Sequence, residues 1–469
     1  MSEQTPVPDP ASEEPQGSRL TRRQFLTLAG TTSAAALLAA CAPGATTAPS
    51  GPGGTPAVTT APQVSTGGGE LSYLHWTNFV PEMDAKLDEL AKKWGDQNKV
   101  TVKVEHININ DIPARRAAAI QAKAGPDLIF DTQNWPQLFS DALVDISDVA
   151  SQIDKATGPV HDAAKQFTFV NGQWKAIPTG WGGNAFVYRT DWFKEAGVAV
   201  PKTWDDFVKA AATMKKAGHP FGQTLGHSFG DPPTFWYPWL WAHGGKEVEA
   251  DGKTVALDSP ETLAAVEQAV EMFKTGLIEG VLAWDDNSNN SAYAAEKLAA
   301  TLNGPSIFIN AGRNAAKGDA IAKRIYDNSD HFLHPAGPKG TFSLVAPYSV
   351  GLMNYSKNQQ AAKDFLVWLH QPAQYLDWLE SGGGYLQGTF KQAENLKAFE
   401  SAPKMKPYRD LLTSGSIKWV GWPSPLSAAS YAVYNNFIVI DLFAKACAGE
   451  YTPKDAIAWA VGQLKTRYK

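Results

Sequence analysis

Asp131, Thr132, Gln133, Asn134 and Trp135 form one short run that sets a flat aromatic face beside groups able to make planar hydrogen bonds. The chain holds sixteen tryptophans, and Trp, Tyr and Phe together make up 11% of it. Flat faces in that number suit either a heavy core or a ligand with flat faces of its own. Asp285, Asn287, Asn289 and Glu296 follow the ligand spacing of a calcium loop, but its glycine position is taken by Asn290. A solvated polar loop is therefore the expectation there. His331 and His334 stand three apart with no third ligand beside them, so no zinc is assigned. Catalytic signatures are missing: there is no Gly-x-Ser-x-Gly elbow, phosphate-binding loop or dinucleotide fingerprint. The adjacent pair Asp285-Asp286 does not imply two carboxyls facing each other across a scissile bond, as a glycosidase needs. Binding without catalysis, and without a cofactor, is the chemistry these residues suggest.

Where this chemistry takes place is written near the start. Thr21-Arg22-Arg23-Gln24-Phe25-Leu26 looks like a twin-arginine export signal, and a mild apolar stretch to Leu38 follows it. Leu38-Ala39-Ala40-Cys41 resembles a bacterial lipobox, which makes Cys41 the expected acylated N-terminus of an extracytoplasmic, membrane-anchored lipoprotein. Residues 42–69 contain only Ala, Pro, Gly, Thr, Ser, Val and Gln. An uncharged segment of that kind is a flexible tether reaching roughly 30 Å. About 400 residues remain from Glu70, more than one ordinary core, so two lobes are expected. A net charge of -5 without a basic block argues against nucleic acid. Cys447 is the only cysteine besides Cys41, so the body has no intramolecular disulfide.

The elements that must position the binding residues alternate between strand and helix. Leu71–Trp76 reads as a strand, and Met83, Leu87, Leu90 and Trp94 mark one face of a helix from Pro81. Val100, Val102 and Val104 alternate as in a half-buried strand, and Leu128-Ile129-Phe130 is a short buried one. Thr203 with Asp206, Ser259-Pro260-Glu261 and Thr452-Pro453-Lys454-Asp455 open later helices. This alternation predicts α/β lobes with largely parallel sheets.

Five stretches, in order, resemble the family 1 extracellular solute-binding proteins, the sugar-binding components of ABC importers. They are Gly125-Pro126-Asp127-Leu128-Ile129-Phe130, the Gly172–Phe207 region, Thr301-Leu302-Asn303-Gly304-Pro305, Ala361–Leu366 and the terminal stretch from Ala429. The resemblance implies a two-lobed periplasmic-binding-protein-like fold of type II, with ligand held between lobes joined by three crossings. It places the crossings near Gly183-Asn184, Thr301-Leu302 and Gly351-Leu352. The first lobe then comprises residues 70–183 and 302–351, and the second 184–301 and 352–469. It implies a monomeric receptor that presents a mono- or oligosaccharide to an ABC permease. A polyol or glycerophosphodiester is the alternative solute, with Arg313, Arg115 or Arg116 available for a phosphate. A secreted carbohydrate-active enzyme is the less favoured reading.

A pyranose offers a C–H face to Trp or Tyr and a rim of hydroxyls to Asp, Asn or Glu. By the resemblance Asn134 and Asn184 fall at ligand-binding positions, with Asp131, Trp135 and Trp181 beside them; a turn-capping role is the competing account of each Asn. Ser306 and Ser430 stand where maltose-binding relatives carry stacking tryptophans. Replacement stacking is expected from Trp76, Trp236, Trp284 or Trp422, while Trp239 and Trp241 read as core. Asp231, Tyr348 and Tyr385 complete the candidate set.

Overall fold

A computed structural model describes residues 69–393 and 396–469. The twin-arginine run, the lipobox with Cys41 and the tether up to residue 68 lie outside the described residues. Five strands make the larger sheet: β1 (Glu70–Trp76), β2 (Thr101–Ile107), β3 (Leu128–Thr132), β6 (Ile177–Gly182) and β10 (Ala346–Leu352). Their order is β2-β1-β3-β10-β6. A smaller sheet has the order β8-β7-β9, from Ala300–Asn303, Ala185–Arg189 and Ser329–Phe332. The remaining strands, β4 (Phe169–Val170) and β5 (Gln173–Trp174), form a hairpin.

Helix α1 (Pro81–Asn98) opens on a proline, which has no N–H to leave unsatisfied, and buries Met83, Leu87, Leu90 and Trp94 as their spacing predicts. Helix α2 (Ile112–Ala122) enters β3 through Gly125-Pro126. Helices α3 (Ser147–Thr157), α4 (Asp231–His243) and α5 (Ser306–Ala316) follow, then α6 (Gln359–Leu369), α7 (Pro372–Ser381), α8 (Ala428–Asn435) and α9 (Ile438–Ala448). The expected caps are made: Asp206 N–H donates to Thr203 Oγ1 at 3.1 Å, Thr262 N–H to Ser259 Oγ at 3.1 Å, and Asp455 N–H to Thr452 Oγ1 at 3.2 Å.

The expectation of largely parallel sheets needs correction. β1 runs parallel to β2 and β3, but β10 is antiparallel to both β3 and β6, and the small sheet pairs β7 antiparallel to β8 and β9. A one-residue bridge from Phe221 to Ala300 adds a parallel pairing at β8.

The chain passes from the large to the small sheet at Gly183-Asn184, between β6 and β7. Its later passages differ from the expected division. β9 pairs with β7, and Phe332 stacks on Phe186 at 4.9 Å, so the chain is still on the small sheet at Phe332 and regains the large one only at β10. After β10, α6 packs on α1 and α3 and α7 packs on α1, all beside the large sheet. Helix α8 then rests on Trp135–Phe139, and α9 on α4.

Candidate functional site

Because β10 runs antiparallel to β3, its first residues lie beside the last residues of β3, with Tyr348 opposite Thr132. The exits of β1 and β3 and the start of β10 therefore share one edge of the large sheet, and aromatic residues collect there. Trp76 is stacked on Tyr348 (centroids 5.3 Å, 27°), on Tyr385 (6.2 Å) and on Phe130 (6.0 Å). Burial holds the Tyr348 and Tyr385 hydroxyls above their usual range, and the charges of Asp231 and Asp286 push both the same way. Trp76 Nε1 and Asn78 Oδ1 are buried without a hydrogen-bond partner, leaving a donor and an acceptor for something else at this edge.

The opposing wall comes from the small-sheet side. Asp286 takes the backbone N–H of Gly230 at 3.0 Å and of Asp231 at 2.8 Å, at the start of α4. Asp231 in turn accepts from Asn289 Nδ2 at 2.6 Å. Asn290 Nδ2 donates to the Asp286 carbonyl at 3.0 Å, and its Oδ1 accepts from Asn303 Nδ2 at 2.6 Å and Ser306 Oγ at 3.2 Å. Burial, then the neighbouring charge of Asp286, raises the Asp231 carboxyl well above its ordinary value. Asp286 is raised by burial against the lowering pull of Ser228 and the two N–H donors.

Between the walls lies a cavity of about 410 Å³, lined by Trp76, Thr77, Asn78 and Phe79 from the β1 exit, Asn108–Asn110 from the β2 exit, and Asp286, Asn287, Asn290 and Asn310 opposite. That size falls within the usual range of small-molecule sites. A larger cavity of about 630 Å³ lies along the flank of β1, β2 and α1. All its lining comes from one sheet and its helix, so the smaller one is the candidate site. The walls are bridged at its rim: Phe229 N–H donates to Asn110 Oδ1 at 3.2 Å, Asn310 Nδ2 to the Phe79 carbonyl at 2.9 Å, and Arg313 pairs with Glu82.

Of the residues expected from sequence, Trp76, Tyr348 and Tyr385 come together at this edge, and Asp231 stands on the opposing wall. Asn184 is close by chain position, but its amide is used on Thr234 Oγ1 at 2.7 Å. Asn134 donates to the Ser427 carbonyl at 2.8 Å and keeps a free Oδ1. Asp131 is held by Arg116 in a fully buried ion pair, and Trp135 is buried with its Nε1 on Ser349 Oγ at 2.9 Å; both serve the interior of the large-sheet side. Trp181 stacks on His161 at 5.6 Å with its Nε1 unpartnered. Trp236 is core, packed on Phe235 and Phe443 with Nε1 on the Thr224 carbonyl. Half-buried Trp284 lies over Gly222, and Trp422 packs on Trp241 and Phe342.

Asp286, Asn290 and Asn78 escaped the sequence reading. The signal was the polar run Asp285–Asn290, which fits a calcium loop but here knots on itself. Glu296, the loop's would-be twelfth ligand, is held by Arg189 at 2.9 Å and by Arg324, which with Arg189 draws its carboxyl down to about 2. His331 and His334 are turned to separate carbonyls, of Lys404 and Thr234. The three arginines available for a phosphate are engaged: Arg115 by Glu105, Arg116 by Asp131, Arg313 by Glu82.

Comparison with known proteins places this geometry. The family model described as bacterial extracellular solute-binding protein matches residues 89–407. A curated relative from Sinorhizobium fredii (strain NBRC 101917 / NGR234), named probable amino-acid ABC transporter periplasmic-binding protein y4oP, is 22% identical over 283 residues, 58% of this chain. The match spans 63% of that relative's length. Among solved structures, an ABC transporter solute-binding protein of Thermotoga lettingae bound to α-D-tagatose superposes with a TM-score of 0.73 at 19% identity, over 86% of this chain and all of its own. Maltose-bound MalE3 of T. maritima gives 0.71 at 20% identity, over 85% and 99%. A ribitol complex from Agrobacterium radiobacter K84 gives 0.70 at 18% identity, over 86% and 99%. These likenesses establish the two-lobed fold.

Proposed function

Because the chain belongs to the bacterial extracellular solute-binding protein family, we propose that it is the receptor of an ABC importer, capturing a mono- or oligosaccharide between its two walls. One observation carries this reading: Trp76, itself stacked on Tyr348 and Tyr385, lines with Phe79 and Asn78 one wall of a cavity whose other wall is Asp286, Asn287, Asn290 and Asn310. An aromatic face covers the C–H side of a pyranose, and carboxylate and amide groups take its hydroxyls. Closure over solute is the state a permease would recognise, and no bond is made or broken. Two lobes, one on each sheet, are the hinged bodies in this reading. Export by the twin-arginine route, anchoring through acylated Cys41 and a monomeric state belong to the same proposal. Among the described residues, no helix is long and apolar enough to cross a membrane.

A polyol is the second reading. The cavity is small, and the ribitol-bound neighbour shares the fold. The phosphodiester reading loses support, since its candidate arginines are already paired.

The test is a thermal-shift screen of the purified chain against sugars, polyols, amino acids and glycerophosphates. A ligand at a hundred times its dissociation constant adds about 2.7 kcal/mol of stability. A shift of several degrees with one sugar class, diminished in Tyr348→Phe, supports the receptor and its site. A shift with polyols or amino acids alone replaces the sugar reading while leaving the fold intact.

A further inference from the structure

The parallel register of β1 and β2 sets His75 directly beside His106. Both rings stand on the face covered by α1, whose first turns carry Asp84 and Asp88. His75 Nδ1 lies 2.8 Å from the Trp76 carbonyl and His106 Nδ1 3.3 Å from it. His106 Nδ1 is 3.5 Å from Asp84 Oδ1, and its Nε2 is 2.9 Å from Asp88 Oδ1. One donor atom from each of His75, Asp84 and His106 lies within 4.8 Å of the other two. We propose that His75, His106 and Asp84 form a site for a divalent transition metal of the zinc type, with the Trp76 carbonyl as a fourth oxygen donor.

Two imidazole nitrogens with carboxylate oxygen are a donor set that zinc accepts, at bonds near 2.0–2.1 Å. Tetrahedral donors at that distance stand about 3.3 Å apart. The present spread therefore has to close by roughly 1.5 Å, which rotation of the Asp84 and His106 side chains can supply. Both are only partly buried, so a cation has a path in. The site also has a place in the fold. Asp84 accepts the backbone and side-chain N–H groups of Asn78, which lines the candidate cavity. A bound cation would thus pin α1 to the strand exits that form one wall, whatever solute the cavity takes.

The test uses the purified, untagged chain, stripped with chelator and titrated with zinc chloride in a calorimeter. One equivalent is expected to bind, with affinity falling at least tenfold in His106→Gln and in Asp84→Asn and unchanged in His219→Gln, whose ring lies outside the cluster. His106→Cys keeps a zinc ligand and is expected to restore most of the affinity, which separates loss of a ligand from loss of fold. Cobalt is expected to give the visible bands of a four-coordinate site in the parent and not in Asp84→Asn. Absence of stoichiometric binding, or binding equally indifferent to His106→Gln and Asp84→Asn, overturns the proposal.

Discussion

Asp286 accepts the backbone N–H of Asp231 at 2.8 Å, so the carboxylate of one residue organises the main chain from which the other projects. The interaction sits at the start of α4, where unpaired N–H groups and the helix dipole favour a negative charge. It also explains Gly230: a Cβ there would lie 2.9 Å from the Asp286 carboxylate.

Replacing Gly230 by Ala must therefore push Asp286 aside. We expect Gly230→Ala to cost about 1–3 kcal/mol, the usual range for overpacking, and to weaken the captured solute at least tenfold. Urea denaturation and calorimetry measure the two effects. Parent-like values in both would show that Asp286 does not organise the wall.

The ion pair of Asp131 with Arg116 makes a separate prediction. Arg116 also donates to Tyr431 at 3.1 Å and lies over the Phe139 ring at 4.3 Å. Arg116→Ala leaves a buried carboxylate alone and should cost about 3–5 kcal/mol, whereas Arg116→Met with Asp131→Leu should recover most of that loss. Ligand affinity of the double variant should stay near that of the parent. A large drop would return Asp131 to the binding site.

Glu247 is fully buried, and burial pushes its carboxyl up to about 8, against the lowering pull of the Gly421 backbone and the Tyr468 hydroxyl. Between the ordinary value of 4.5 and about 8 the folded chain keeps a proton that the unfolded chain releases. Stability from this group therefore falls as pH rises through that window. Glu247→Gln should gain stability relative to the parent between pH 5 and pH 9, by a few kcal/mol at about 1.4 kcal/mol per unit. Urea midpoints across that range decide it; a pH-independent difference would mean that Glu247 is ionised in the fold.

Calcium provides a fourth check. With Glu296 committed to Arg189 and Arg324, millimolar calcium and chelator should leave the melting temperature alike. Glu296→Gln should instead destabilise the chain modestly, since Glu296 and its partner Arg324 are partly exposed and screened, and buried Arg189 keeps Asp191 as a second partner. A calcium-dependent rise in the parent would reinstate the loop as a metal site.

Local signals in the chain were sufficient for much of the architecture. The spacing of Met83, Leu87, Leu90 and Trp94, the caps at Thr203, Ser259 and Thr452, and the buried run Leu128–Phe130 each depend on neighbours a few residues away. The ordered motifs from Gly125 to the terminal helices were enough for the family, because they record a shared fold. Trp76, Tyr348 and Tyr385 could be singled out as aromatic residues at strand ends or loops. Which tryptophans reach the cavity could not be read this way: Trp76, Trp135 and Trp236 are all buried, and of the three only Trp76 lines it.

The order of strand and helix, the caps and the membership of a family were thus determined by sequence, through interactions local enough to leave a periodic or compositional trace. The tertiary structure alone decided the antiparallel placement of β10, the pairing of β9 with β7, the burial of Asp131 against Arg116, and the meeting of Asp286 with Asp231. Each joins residues from about 15 to more than 200 positions apart. Such contacts are selected by how whole sheets and helices pack, and no short window of sequence carries the energy that chooses among them.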